Sequence, residues 1–445
     1  MKRFFEAIKK PVCAVVATAV GCFAFSALTA CAPRDEVLKI YNWGDYIDEE
    51  LLPEFEDWYK QETGKNITVR YDTFDTNEDM IMRIEVIKAD YDLVCPSEYM
   101  AERMIKEGLA QKINKDIFDN LSPDDMYDGL AGMIEPFDKD NEYFVPYVWG
   151  TFGIMYDVGD DRHETSFEPN DPRMKSWEAM WTDFTSGGRK RTLMKDSVRD
   201  AYSLARLYAG RDRLEELSNG FTDYTNENYR AELESYFTDV TDESIAQAKQ
   251  TLIEQKKVLH KYEVDDGKND MLAGTTPAWV AFLWSCDSGL IMQEESGGHF
   301  YYEVPREGSN VWLDGWIIPK YAKNVDAANY FLKFINLYDD EYDFAMRNFD
   351  YMGSSMANKR VMEDAKADLM YTMYNELTDE EKAEMSEEDI EYAQMMYDRE
   401  DWFKQMYIDM MFPPQDVLDR CGVMRDFGKI RGTDLDSMWI DVKTS

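Results

Sequence analysis

The chain has 445 residues, and 89 acidic residues against 49 basic ones leave a formal net charge of −40. So negative a chain repels phosphate, which excludes nucleic acid as a partner; it suits the attraction of cations, although a solvated acidic face is the more ordinary meaning of such an excess. Hydrophobic residues make up 44% of the sequence, enough for a packed core, and roughly 400 residues is more than one core organises, so two lobes are expected.

The first thirty residues read as an address. Lys2, Arg3, Lys9 and Lys10 precede an uncharged, mostly apolar run from Pro11 to Leu28, which ends in Leu28-Thr29-Ala30-Cys31. Small residues before a cysteine read as a lipobox. Residues 1–30 are then a lipoprotein signal peptide, Cys31 the lipidated first residue of the exported chain, and 31–36 a tether. A membrane-spanning helix is the rival reading, since the run is almost long enough; the polar sequence that follows at once favours cleavage.

Val37-Leu38-Lys39-Ile40-Tyr41 alternates like a strand and stops at Asn42-Trp43-Gly44-Asp45-Tyr46. Leu52, Phe55, Trp58 and Tyr59 recur at helical spacing, with Pro53 near the start and Gly64 as the stop. Ile67 to Tyr71 is a second strand. Met80, Ile84 and Ile87 mark a second helix after Asn77. Tyr91 to Cys95 is a third strand closed by Pro96, and a third helix runs to Glu107, with Gly108 as its stop. This alternation implies a parallel sheet with right-handed crossovers, in which ligands sit beyond the carboxyl ends of strands. Trp43 to Tyr46 and Ser97-Glu98-Tyr99 both lie there.

Tyr143 to Tyr156 is extended and apolar, and reads as the first crossing between lobes. Asp200 to Gly210 and Ile245 to His260 read as helices, and Trp279 to Trp284 as a buried strand. Val311 to Pro319 is the second crossing, followed by a helix over 326–339 with Ala327, Phe331, Phe334 and Ile335 on its apolar face. Residues 363–412 differ in character. Thr378-Asp379-Glu380-Glu381 is a capping box opening an acidic helix, and Met385, Met395, Met396, Met406, Met410 and Met411 accumulate there. Such a stripe serves packing more often than it grips a partner.

Of six cysteines, Cys13 and Cys22 leave with the signal and Cys31 carries lipid. Cys95, Cys286 and Cys421 remain, without C-x-x-C spacing, which argues against a disulfide framework and leaves room for one bridge. His163, His260 and His299 stand far apart without zinc spacing, so neither a metal nor a cofactor is expected.

The chemistry concentrates at predicted element ends, where acids alternate with rings. Trp43 and Tyr46 flank Asp45, Tyr99 follows Ser97, Trp284 precedes Asp287 by three residues and Trp312 precedes Asp314 by two. Two residues apart in a strand, Trp312 and Asp314 face the same way. A desolvated ammonium needs a carboxylate and gains from an aromatic face, so the pattern fits an aliphatic polycation. Any one such pair is more readily chance and core packing; four of them at element ends are not. Ser97 opens a helix, whose positive end favours anions, so a cation there needs nearby carboxylates such as Asp45.

These residues resemble the bacterial spermidine/putrescine-binding proteins of ABC polyamine importers. Ile40 to Tyr46 (I-Y-N-W-G-D-Y) is similar to their Y-N-W-x-[DE]-Y. Tyr91 to Tyr99 (Y-D-L-V-C-P-S-E-Y), Phe144 to Thr151 (F-V-P-Y-V-W-G-T), Trp312-Leu313-Asp314 and Tyr351 with Met352-Gly353-Ser354-Ser355 follow in family order. The resemblance implies an α/β, two-lobe periplasmic-binding-protein-like fold with two crossovers and a ligand cleft at the hinge. Lobe 1 is then 37–148 plus 314–360, and lobe 2 is 149–313 plus 361–445. It implies Trp43, Asp45, Tyr46, Ser97, Tyr99, Ser197, Asp200, Trp284, Asp287, Trp312, Asp314 and Tyr351 as ligand-binding residues. It also implies a monomer that hands putrescine or spermidine to the permease of an ABC importer, outside the cytoplasm and tied to the membrane through Cys31 alone. Ser197 stands where spermidine-binding members often carry an acid, and Asp287 where putrescine-selective ones do, which together favour putrescine.

Three departures bear on the choice of amine. Gly44 replaces a hydroxyl residue, a site glutamine has no match beyond Met424, and 363–412 looks inserted. The same fold binding another cationic amine, or acting as a ligand sensor, is the alternative. An exported hydrolase using two carboxylates is weaker, because acid pairs abound and neither G-x-S-x-G nor a Ser–His or Cys–His pairing is evident.

Overall fold

The computed structural model describes residues 33–118, 122–160, 163–263, 271, 278–294, 299–374 and 407–445. The signal segment, Cys31, the capping box at Thr378 and Met385, Met395, Met396 and Met406 lie outside the described residues. The described chain divides into two compact units. One holds residues 33–148 and 313–374, the other 149–312 and 407–445. The chain passes from one to the other within two strands, Phe144–Asp157 and Ser309–Pro319, in which every residue is buried.

In the first unit Val37–Trp43 lies between two parallel neighbours, Thr68–Phe74 and Leu93–Val94. Leu93–Val94 meets Ser309–Pro319 antiparallel through Ile317, and Ala110–Gln111 pairs with the end of that strand. The helix Leu51–Thr63 buries Leu51, Phe55, Trp58 and Tyr59, an i, i+4, i+7, i+8 stripe. It packs on the helix Val325–Ile335, with Phe55 and Phe331 ring centres 5.1 Å apart and Trp58 and Phe334 5.5 Å apart. Burying each such side chain stabilises by about 1.5–3 kcal/mol. Gly64 ends the first helix at φ 72°, donating its N–H to the Lys60 carbonyl, a left-handed position that glycine adopts without steric cost.

The helix expected from Met80, Ile84 and Ile87 changes pitch. Asn77–Met82 is α-helical, but Arg83–Ile87 widens into a π-turn. The wider turn shifts the phase of the apolar face: Met80 and Ile84 stay buried, whereas Val86 and Ile87 turn outward at 70% and 63% exposure.

In the second unit Phe144–Asp157 pairs antiparallel with Val280–Trp284 and Phe300–Glu303. Val280–Trp284 runs parallel to Thr192–Lys195, which runs parallel to Leu259–Glu263. The helices Val198–Leu217, Asp242–Lys256 and Gly428–Thr444 pack together, with Tyr202 donating 2.8 Å to Ser244 Oγ between the first two. The expected helix from Ile245 to His260 stops at Lys256, and His260 lies in the strand Leu259–Glu263, because that segment completes the parallel ladder beside Thr192–Lys195.

The helix Lys359–Tyr374 belongs to the first unit, where the sequence reading gave everything after 360 to the second lobe. Val361 and Met362 are fully buried there, and Lys359 pairs with Asp128 at 2.7 Å. Met410 and Met411 are buried in the second unit.

Candidate functional site

The first unit gathers its candidate residues where its strands end. Trp43 closes the strand Val37–Trp43 and packs on Phe74, 4.4 Å between ring centres. Its carbonyl accepts from Tyr71 Oη at 3.2 Å. The next residues turn sharply, and Asp45 takes a left-handed φ of 53°, which aspartate tolerates better than most side chains. That turn leaves Asp45 exposed and brings Tyr46 back over the strands. Tyr46 Oη donates to Asp314 Oδ2 at 2.8 Å, and Tyr147 Oη holds the Tyr46 carbonyl at 2.9 Å.

Asp314 sits in the buried strand Ser309–Pro319 and is 7% exposed. It bridges to Ser97 across the backbone. Burial raises its carboxyl to about 6, against the lowering effect of hydrogen bonds from Ser97 and Tyr46. Among the described residues no lysine, arginine or histidine forms an ion pair with it.

Ser97 begins the helix Glu98–Lys106 but does not cap it with its own side chain. Asn77 engages it instead: Asn77 Oδ1 accepts from Ser97 N at 3.1 Å, and Nδ2 reaches Ser97 Oγ at 3.0 Å and Tyr99 Oη at 2.9 Å. Glu98, 2% exposed, takes the Leu313 backbone N–H at 3.0 Å and so pins the strand beside Asp314. Tyr351 is 42% exposed; partial burial and the Asp45 charge raise its phenol above 10. Tyr46, Ser97, Tyr99 and Asp314 are thus linked through this unit's own contacts. Trp43, at the strand end that precedes them in sequence, contacts Phe74 and Tyr71, and Asp45 and Tyr351 are electrostatic neighbours at the surface.

The second unit holds the others. Trp312 is buried, and its ring lies against Gly150, where an added Cβ would come within 2.5 Å of the indole and 2.3 Å of Ser285 Oγ. A glycine is therefore required in the W-G-T stretch so that the ring can lie on bare backbone. Among the described residues the indole N–H of Trp312 has no hydrogen-bond partner, nor has that of Trp43 in the first unit. Ser197 caps the helix Val198–Leu217, accepting from Asp200 N at 3.5 Å. Asp200, in the first turn of that helix, is 5% exposed, and its Oδ2 has no hydrogen-bond partner among the described residues. Burial raises this carboxyl to about 6 as well, opposed by Ser197, Lys195, Arg199 and Trp284.

Trp284 ends the strand Val280–Trp284, and Asp287 stands in the first turn of the helix Ser285–Glu294. Both meet Lys195, whose Nζ lies 2.8 Å from Asp287 Oδ2 and 4.4 Å from the Trp284 ring centre. Sequence reasoning missed Lys195, Asn77 and Glu98. Lys195 and Glu98 carried a faint signal, a charged residue bordering a strand end, but their partners are distant in sequence. Cys95 and Cys421 are buried, free thiols. Among the described residues no group of acids, cysteines and histidines is placed to hold a metal ion, and no helix is long and apolar enough to cross a membrane.

The family described as bacterial extracellular solute-binding protein matches residues 55–377, well over half of the chain. The chain belongs to that family. Among curated relatives, this solute-binding protein is 28% identical over 327 residues to the spermidine/putrescine-binding periplasmic protein of Escherichia coli (strain K12), covering 72% of this chain and 77% of the relative. It is 27% identical over 312 residues to the putrescine-binding periplasmic protein PotF of the same organism, covering 68% and 74%. The spermidine/putrescine substrate-binding protein PotD of Streptococcus pneumoniae superposes with a TM-score of 0.60 at 22% identity, covering 92% of this chain and 99% of that one. That likeness establishes the fold class, the α/β two-lobe periplasmic-binding type. The curated relatives are periplasmic binding proteins, and the family consists of proteins that bind solutes.

Proposed function

We propose that this solute-binding protein captures a short aliphatic polyamine, putrescine or spermidine, outside the cytoplasm and delivers it to the permease of an ABC importer without chemical conversion. One observation carries the reading: Asp314 is a buried carboxylate held by two hydroxyls and by no cationic side chain among the described residues. An ionised carboxylate out of water needs a positive partner, and an amine guest supplies it. Asp200 is a second buried carboxylate, in the second unit, favoured by Ser197, Lys195, Arg199 and Trp284 and with one oxygen unpartnered among the described residues. Trp43, Tyr46, Trp284 and Trp312 offer rings to the methylene chain and the ammonium ends. Asp45, Ser97, Tyr99, Ser197 and Tyr351 complete the proposed lining, and Asp287 takes part through Lys195. Ligand names borne by the two curated relatives support the same class.

Cys31 is proposed as the lipid-bearing N-terminus of a monomer held on the outer side of the membrane. Calorimetric titration with putrescine, spermidine, γ-aminobutyrate and a neutral sugar tests the ligand class. Near-stoichiometric binding of at least one polyamine is expected, without binding of the sugar. Heat from the sugar alone, or from no amine, refutes the proposal.

A further inference from the structure

Lys195 is a charge that an amine-binding surface has no obvious reason to contain. It ends the strand Thr192–Lys195 and is 2% exposed. Its Nζ lies 2.8 Å from Asp287 Oδ2 and 3.3 Å from Glu263 Oε1, and sits over Trp284 at 4.4 Å from the ring centre. Two carboxylates, one aromatic face and a buried methylene stem are what the end of an alkylammonium ligand seeks. We propose that Lys195 is a built-in ammonium that fills one amine position of the second unit, leaving the protein selective for a diamine over a longer triamine.

Asp287 meets the ligand already neutralised, and one usable face of Trp284 already carries a cation. Asp200, in the same unit, has one carboxylate oxygen, Oδ2, without a hydrogen-bond partner among the described residues, while Lys195 and Arg199 are near enough to favour its charged form. A third ammonium directed at Trp284 or Asp287 meets a charge of its own sign, a repulsion worth several-fold to many-fold in affinity at short range. Burial works against the Lys195 charge, but Asp287 and Glu263 outweigh it and hold the ammonium protonated at neutral pH. With two carboxylates already around it, Lys195 is not set to receive a ligand carboxylate, so an ω-amino acid gains nothing there.

The inference depends on the proposed polyamine function, and one experiment separates the two. Dissociation constants for putrescine and spermidine are measured by calorimetry on the wild type, Lys195→Met, Lys195→Gln and Lys195→Arg, with thermal unfolding to confirm that each variant is folded. The wild type is expected to bind putrescine at least about tenfold more tightly than spermidine. Both neutral variants leave Asp287 and Glu263 in need of a cation, so they shift the preference toward spermidine by at least about tenfold. Lys195→Arg keeps the charge and the wild-type ranking. A wild type that prefers spermidine, or folded neutral variants with an unchanged ranking, overturns the inference and leaves the polyamine function standing. A wild type that binds no amine overturns both. Should neither neutral variant fold, the wild-type ranking alone decides.

Discussion

Replacing Asp314 with asparagine is expected to move stability and affinity in opposite directions. An ordinary aspartate ionises near 3.8, this one at about 6. Keeping it charged at neutral pH therefore costs the ligand-free fold about 3 kcal/mol by linkage, or about 1–3 kcal/mol once relaxation is allowed for. Asparagine retains an acceptor for Tyr46 and Ser97 without the charge. The ligand-free variant should then melt several degrees higher, at about 2–4 °C per kcal/mol for a unit of this size. Binding loses its charge partner, and truncating one side of a buried pair costs about 2–5 kcal/mol, which is a loss of about thirtyfold or more in putrescine affinity. Differential scanning calorimetry without ligand and titration calorimetry with putrescine read the two effects. A variant that melts lower and binds as tightly as the wild type would refute the argument, because Asp314 would then be a structural acid.

Two further outcomes follow from the same chemistry. Asp314 and Asp200 both ionise at about 6, so each is mostly charged at pH 7 and mostly protonated at pH 5. Putrescine affinity is expected to fall about tenfold per group over that interval, about a hundredfold together, whereas ligand-free stability moves the other way. A carboxyl whose folded value lies above its unfolded one holds its proton more tightly in the fold, so these two groups make stability fall as pH rises from about 4 to about 6. Affinity that stays flat from pH 7.5 to 5 would contradict this. Cys31→Ala should release the exported chain from the membrane fraction in a cell-fractionation blot, and retention of the variant in membranes would exclude lipid as the anchor.

Much of the fold was legible because its elements obey simple periods. The strand Val37–Trp43, the stripe of Phe55, Trp58 and Tyr59, the glycine stop at Gly64 and the two crossing strands all follow from burial on one face or on both. The rings and acids at strand ends were legible for the same reason. What escaped reading depends on geometry that no local window contains. The π-turn at Arg83–Ile87 adds a residue to one turn and rotates Ile87 out. His260 looks helical until its strand neighbour Thr192–Lys195 is known. Lys195 finds Glu263 and Asp287 only through the sheet and the following helix, and Asn77, read as a mere helix-start signal, joins Ser97 to Tyr99.

The Asn77 amide has a consequence for proton direction. A backbone N–H can only donate, so the atom facing Ser97 N must be Oδ1, and the amide cannot be turned over. Nδ2 must then donate to both hydroxyl oxygens, and Ser97 spends its own proton on Asp314, as Tyr46 does. Both hydroxyl protons that reach Asp314 run toward the carboxylate, and what the carboxylate has left to offer is lone pairs. A guest that arrives there must bring its own hydrogens, as an ammonium does and a carboxylate cannot.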